Sequence, residues 1–370
     1  MNIKVYPIEL PRGADEFLKT WWPIYQSDPH WVPPLLFERK QFLNPKVNPY
    51  FKVADVQCFL ANRDGKAVGT IAATWDHELQ KSDPGVGLFG FYEFPDDEGV
   101  ARPLFDAAMA WLHRRGAKKA WGPFNFNPNH DFGLLVDGFD TDPMVANPHN
   151  RPYYDVMYQR LGMRKLRDWY AYWMEGPVPA RVGAIAKRFM DHHPNITVRR
   201  FDKSNFASEM QLFRDIYNDA FVHNWGHVYI TDAEFAWLGK NFKPLLDPRL
   251  CYFVYVDGEC AGAMVTLPDF NQVLKKCNGR LFPFGWWHLF IKRPRIDGVR
   301  VFVLGVKHKY QHLPLGAPLY ITTWEAATAM AFRHAEASLI LDENYRVRGA
   351  LEKVGARIYK TYRIYEADVA

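Results

Sequence analysis

The chain reads as a mixed α/β layer protein built from two similar halves, and three repeated features predict it. An Asp-Gly pair between two apolar runs occurs twice, at Asp64-Gly65 in QCFLANRDGKAVGTIAA and at Asp257-Gly258 in CYFVYVDGECAGAMVTL, 193 positions apart. Such a pair supplies the positive φ of a two-residue β-hairpin turn. A helical face with an i, i+3, i+4, i+7 apolar pattern also recurs, as Tyr154, Met157, Tyr158, Leu161 and as Val347, Ala350, Leu351, Val354. Each face ends on a glycine, Gly162 and Gly355, suited to the left-handed position past a helix end. Hairpin, helix face and cap all share the 193-residue offset, as do Gly69 and Gly262, which points to internal duplication.

Each half then has the same element order. A first strand (2–9; 195–202) leads into helices (15–27 and 35–43; 206–221 and 231–241) and the Asp-Gly hairpin. A third strand (86–94; 298–306) precedes a long helix (98–115; 315–335) with an apolar stripe, Leu104, Ala108, Leu112 in one copy and Leu315, Leu319, Ala326, Met330 in the other. Strand, helix and strand close each half, which is a mixed sheet flanked by helices. Two prolines and two glycines in EGPVPARVG (175–183) interrupt the pattern, so the expected domains are 1–180 and 181–370.

Bulk properties narrow the function. Thirteen Trp and 27 Phe suit large apolar cores or a greasy ligand, and a net charge of +5 suits an anionic ligand or a membrane surface. The four cysteines show neither CxxC pairing nor metal-ligand spacing, so they are expected to be reduced and structural, with no metal. The N-terminus lacks a signal-peptide pattern and no apolar run is long enough to span a bilayer. The expected location is the cytoplasm, including the inner face of the membrane. No zinc finger, RNP-like motif or basic helix marks a nucleic-acid partner.

The segment LDENYRVRGALEKVGARIYKTYRIYE (341–366) resembles the C-terminal motif of the GNAT acyltransferase superfamily, and VRVFVLGVKHKYQHLPLGAPL (299–319) resembles its CoA-binding strand, loop and helix. The resemblance implies two GNAT-like domains with acyl-CoA as co-substrate in the C-terminal one. It places Leu304, Gly305 and Val306 along the pantetheine arm, Gln311, Gly316 and Ala317 at the pyrophosphate, and Asn344 at the start of the following helix. The loop keeps only the Gly316-Ala317 end of the usual glycine-rich pattern, and Pro314 offers no amide. Leu351 stands where many relatives carry the Tyr that protonates the leaving thiolate. Lys307, His308 and Lys309 are either phosphate-facing or a solvated basic turn.

Acyl transfer to an amine needs a base and donors for the oxyanion. His223, Tyr229, Glu343 and Tyr362 are the catalytic candidates, with Asn224 beside them. In the N-terminal half the loop FYEFPDDEG (91–99) is acidic where phosphates would sit, so a structural or substrate-shaping role is expected there. Asn127, Asn129, His130 and Asp131 in GPFNFNPNHDFGLLVDGFD either line a polar acceptor site or satisfy their own loop. The stretch 270–298 is long for a turn; Trp286, Trp287 and Phe290 beside Lys292, Arg293 and Arg295 suit a membrane interface, or a flap packed on protein.

Together with LFPFGW and the C-terminal motif, the tandem layout looks like the bacterial ceramide synthase-type GNAT proteins, which implies a long-chain acyl-CoA donor and a lipid or sphingoid-base amine acceptor. Two other readings remain open from the residues: a non-catalytic acyl-CoA or lipid sensor, and a tRNA-dependent aminoacyl ligase of the paired-GNAT type.

Overall fold

The computed structural model describes residues 3–281 and 296–370. Its strands, in chain order, are β1 (Ile3–Ile8), β2 (Ala54–Arg63), β3 (Lys66–Asp76), β4 (Val86–Glu93), β5 (Lys119–Gly122), β6 (Phe124–Asn125), β7 (Asp131–Phe132), β8 (Leu134–Asp137), β9 (Arg164–Glu175), β10 (Ile196–Arg200), β11 (Cys251–Val256), β12 (Glu259–Pro268), β13 (Gly298–Val306), β14 (His334–Leu341) and β15 (Arg357–Asp368).

Both Asp-Gly turns form as the sequence dictates. Asp64 and Gly65 have φ of 53° and 84° between β2 and β3, and Asp257 and Gly258 have 50° and 80° between β11 and β12. Positive φ at both central residues is the turn that follows the natural strand twist. Gly162 and Gly355, at φ 87° and 88°, close their helices in the left-handed region. The long helix of the second half runs Gly316–Ala329, not to residue 335. Ala331 at φ 65° breaks it, and β14 begins three residues later.

The chain divides into two compact units. One is formed by the described parts of Met1–Trp169, Asn271–Ile291 and Lys360–Ala370, the other by those of Tyr170–Phe270 and Lys292–Tyr359. In the first unit the strand order is β1-β2-β3-β4-β5-β15, with β4 and β5 parallel and the other pairs antiparallel. The second repeats it as β10-β11-β12-β13-β14-β9, with β13 and β14 again parallel. The final strand of the chain therefore completes the sheet of the first unit, where Tyr362, Ile364, Tyr365 and Ala367 are buried. Residues of β9 from Tyr170 onward take the equivalent place in the second unit, where Tyr172 and Met174 join the core.

Helix Glu98–His113 covers the first sheet, burying Leu104, Phe105, Ala108 and Leu112 against Phe89, Tyr158 and Tyr365. Each large apolar side chain so removed from water contributes roughly 2 kcal/mol. Gly316–Ala329 does the same in the second unit, with Leu319 in a core with Met264, Val301 and Ala337, and Ala327 in a smaller one with Leu250 and Val299. All four cysteines are free and buried.

Candidate acyl-carrier site

In the second unit β13 and β14 pair in parallel only from Gly298–Val301 against His334–Ala337. On the opposite edge of β13 the register slips, Val265 facing Val303 but Thr266 facing Val301, so Phe302 is an extra residue. A bulge of this kind bends its strand and ends regular pairing. From Phe302 to Val306 no strand among the described residues pairs with the β14 side of β13, and its peptide groups line a diverging wedge. Leu304, Gly305 and Val306 lie on that stretch. At Gly305 the strand passes close to helix Phe206–Ala220: a Cβ there would sit 3.2 Å from Ala220 and 3.3 Å from Ile216, tighter than ordinary contact.

The paired base of the wedge is pinned by charge. Arg300 and Glu336 face each other in register, 4% and 0% exposed at the side chain, with nitrogen and oxygen 3.4 Å apart. Ser338 bridges them, accepting from Arg300 Nε at 3.0 Å and donating to Glu336 at 2.5 Å, and the Tyr359 hydroxyl donates to the other Glu336 oxygen.

The loop from β13 to helix Gly316–Ala329 is held by its own side chains. Gln311 donates from Nε2 to the Val306 and Ala220 carbonyls at 3.1 and 3.4 Å. The Lys307 and Lys309 ammonium groups meet the Glu259 carboxylate at 3.7 and 2.5 Å, so part of the basic turn is neutralised internally. The Ala317 amide donates to Pro314 O at 3.1 Å. Arg346, which the sequence did not single out, places its guanidinium on the carbonyls of Gln311 and Leu313. The helix itself starts without a side-chain cap. Its first amides are the kind of donors that hold phosphate oxygens.

The same place in the first unit is built differently. β4 and β5 pair only over Val86–Leu88, but the gap beyond is filled. A Cβ on Gly90 would lie 1.8 Å from the Phe124 carbonyl oxygen, and Asn125 Oδ1 accepts from the Phe91 amide at 2.6 Å. The following helix start is occupied by Asp97, which accepts from the Gly99 amide at 2.8 Å and pairs with Arg63. A carboxylate already holds the position an anion would need.

The remaining predicted residues fall as follows. His223 is exposed and its ring lies 5.0 Å from that of His308, just past β13. Tyr229 is half exposed, and Asn224 donates its amide to Phe221 O in a turn. Glu343 is exposed at the end of β14, and Asn344 caps the next helix by accepting from the Val347 amide at 3.3 Å. Asp342, between them and β14, has a buried carboxylate oxygen with no partner among the described residues. Leu351 is 3% exposed in the core. Tyr362 is fully buried in the first unit, opposite Leu135 of β8.

Asn127, Asn129 and His130 are brought together in the first unit. Asn127 Nδ2 and the Tyr50 hydroxyl both donate to Asp76 Oδ2, at 3.0 and 2.7 Å. Asn129 donates its amide to Asn127 Oδ1, and His130 its amide to Asn127 O, each at 3.0 Å. The His130 ring stands edge-on to Phe42 and Tyr50; burial, then the Arg39 charge, press its pKa down to about 3. Asp131 is ion-paired with Arg39 at 2.8 Å. Trp286, Trp287, Phe290, Lys292, Arg293 and Arg295 lie outside the described residues.

A second cluster in the first unit escaped the sequence reading. Glu93, at the end of β4, accepts through one oxygen from the hydroxyls of Tyr25 at 2.7 Å and Tyr154 at 2.8 Å. Burial pushes its pKa up to about 7. Tyr154 belonged to the predicted helix face, but nothing in its spacing signals a carboxylate partner.

No family model matches the chain. It is 37% identical to "Bacterial ceramide synthase" of Caulobacter vibrioides, over 99% of this chain and 97% of that protein. It is 36% identical to "Protein YghO" of Escherichia coli, over 94% of this chain and 90% of that one. Among solved structures, a tandem GNAT protein from the clavulanic acid biosynthesis pathway superposes with a TM-score of 0.59 at 10% identity, covering 100% of this chain and 99% of the other. A GCN5-related N-acetyltransferase from Sphaerobacter thermophilus gives 0.54 at 11% identity, with 99% and 96% covered. These two carry the fold alone. Full-length identity to the Caulobacter protein, on a duplicated sheet with one open wedge, makes the chain a tandem GNAT acyltransferase of the bacterial ceramide synthase family.

Proposed function

We propose that the chain is an acyl-CoA-dependent N-acyltransferase that passes a long-chain acyl group to the amine of a lipid or sphingoid-base-like acceptor, with the donor held by the second unit. The observation that carries this reading is the contrast between the two copies of one sheet. The second has a diverging β13–β14 pair and an uncapped helix start; the first has the gap filled by Phe124–Asn125 and the helix start taken by Asp97. The acceptor class is supported by what the Caulobacter relative is named to make.

In this reading the unpaired edge at Leu304, Gly305 and Val306 holds the carrier arm by its peptide groups. The uncapped helix start at Gly316 and Ala317 faces the phosphates, and Gln311, Asn344 and Arg346 fix the loop and helix start around them. The neutral amine attacks the thioester carbon, the C–N bond forms, the C–S bond breaks, and one proton leaves the nitrogen. His223, beside His308 at the end of β13, is the proposed acceptor of that proton, with Tyr229 and Glu343 as the alternatives. Buried Leu351 cannot protonate the thiolate, so that proton comes from water or another side chain. Tyr362 serves the core of the first unit in this scheme.

Asn127, Asn129 and His130 are proposed to shape the acceptor side, and Trp286 and Trp287 to touch the cytoplasmic membrane face. No helix among the described residues is long and apolar enough to cross a bilayer. The repeat units are proposed to be 1–180 and 181–370, each giving its last strand to the other's sheet.

The test is CoA-thiol release from palmitoyl-CoA with a panel of amines including a sphingoid base, with the product weighed by mass spectrometry. An N-acyl product is expected. Thiol release by hydrolysis alone, or none with any amine, would refute the proposal.

A further inference from the structure

We infer that the first unit binds the ammonium head of a long-chain amine at Glu93 and His149, around the Tyr25 hydroxyl, with the hydrocarbon along Trp31 and Trp22. In the reading above this amine is the acyl acceptor. The inference rests on that reading for the ligand's role and adds where the amine is recognised.

Acceptors outnumber donors at this place. Glu93 takes the Tyr25 and Tyr154 hydroxyls on one carboxylate oxygen, Oε2; the other, Oε1, has no partner among the described residues, and none of their cations pairs with it. The residue is only partly buried, so a ligand can meet the carboxylate. The Tyr25 hydroxyl also lies 3.2 Å from the His149 carbonyl oxygen, but its single proton is already on Glu93 at 2.7 Å. The His149 ring adds a third acceptor. Its side chain is 4% exposed, and Asp28, itself 3.4 Å from Arg151, holds Nε2 at 3.0 Å. Burial outweighs the Asp28 contact and presses the ring's pKa down, so the imidazole is neutral with its proton on the nitrogen facing the carboxylate. Nδ1 is then a buried lone pair with no partner among the described residues.

Buried acceptors without donors are costly unless something meets them. An ammonium brings three N–H donors, no acceptor, and a positive charge for a carboxylate that has only phenols. A proton answers the same need at Glu93, which is what its pKa of about 7 expresses. An anion or a sugar would add acceptors where they are already in excess.

The hydrocarbon end follows from the rings. Trp31 stacks on Tyr25 with centroids 4.9 Å apart, and Trp22 meets Trp31 edge-on at 5.1 Å, its Nε1 fixed on Asn278 Oδ1 at 2.9 Å. The three rings run as one surface from buried Tyr25 to the partly exposed tryptophans. Such faces attract a cation beside them and cover methylenes beyond it.

Charge at the head is set by pH. The phenols near Glu93, those of Tyr25, Tyr153, Tyr154 and Tyr158, are all pushed upward by burial, and His149 is pushed downward, so Glu93 is the member of this group that titrates near pH 7. An ammonium pairs with the ionised form, so its binding strengthens as pH rises through that value.

The experiment titrates the full-length chain calorimetrically with decylamine and with decanol, without acyl-CoA, at pH 6 and pH 8, using wild type, Glu93→Gln and Trp31→Ala. Wild type is expected to bind the amine at least tenfold more tightly than the alcohol at pH 8, and several-fold less tightly at pH 6 than at pH 8. Glu93→Gln, which still accepts from both phenols, should lose at least tenfold for the amine together with its pH dependence, and bind the alcohol as wild type does. Trp31→Ala should weaken amine and alcohol by a similar factor. Equal binding of amine and alcohol by wild type, or amine binding unaltered in Glu93→Gln, would overturn the inference. The acyl-CoA reading fails separately. Amine bound as expected, with no N-acyl product from palmitoyl-CoA, removes that reading and leaves the site; N-acyl product with an unchanged amine KM in Glu93→Gln removes the site and leaves the reading.

Discussion

Two buried glutamates show how the same residue type is satisfied in opposite ways. Glu336 is ion-paired with Arg300 and accepts from the Ser338 and Tyr359 hydroxyls. Glu336→Ala should cost about 3–5 kcal/mol in urea denaturation, because Arg300 would remain buried without its counter-charge. Glu93 has phenols in place of a cation, and burial raises its pKa from 4.5 to about 7. Between those values the unfolded chain has released the proton while the folded chain keeps it. Stability therefore falls as pH rises through this window and is flat above it. Glu93→Gln, which can still accept from both tyrosines, should be more stable than wild type at pH 8 by about 2 kcal/mol and lose that advantage by pH 5. Equal differences at the two pH values in thermal melts would contradict the assignment. At this scale the sequence was informative where a residue's backbone role is local, as at Asp64-Gly65 and Gly162. It was silent on Arg300 with Glu336, which are 36 positions apart and look like ordinary surface charges until the strands pair.

Secondary-structure elements came through with their order intact, because hairpin turns and amphipathic faces are encoded within a few residues. What the periodicity hid is the bulge at Phe302. VRVFVLGV reads as one continuous apolar strand, and the extra residue appears only in the register against β12. In the loop to the following helix the sequence left Lys307 and Lys309 open between facing phosphate and a solvated turn; both reach Glu259, while Arg346 arrives from a helix thirty-odd residues on. The two helix starts give a matched comparison. Asp97→Ala should destabilise the first unit by about 1 kcal/mol through loss of its cap, plus whatever the Arg63 pair adds. Gly90→Ala should be far more damaging, since its Cβ would overlap the Phe124 carbonyl. If chemical denaturation ranks Gly90→Ala as the milder of the two, the filled gap in the first unit is wrongly described.

At the scale of the whole molecule, duplication was legible and the placement of the closing strands was not. RKLRDWYAYWME and RIYKTYRIYEAD are both aromatic-rich, charged-edge strands that suit either sheet, so sequence order assigned each to its own half. The consequence is testable by truncation. Removing Lys360–Ala370 should unfold the first unit, which loses buried Tyr362, Ile364 and Tyr365, although the deleted residues come from the other end of the chain. Limited proteolysis that instead spares Met1–Trp169 in the truncated protein would contradict the exchange. The proposed donor site raises the central question at this same scale, since the gap beyond the parallel pair is filled by Phe124–Asn125 in the first unit and the β13–β14 pairing ends at Val301 in the second. Hydrogen exchange with and without palmitoyl-CoA, followed by peptide mass spectrometry, addresses it directly. Protection should appear over Phe302–Ala317 and be missing over Phe89–Gly99; protection confined to the first unit, or none in either, would contradict the account.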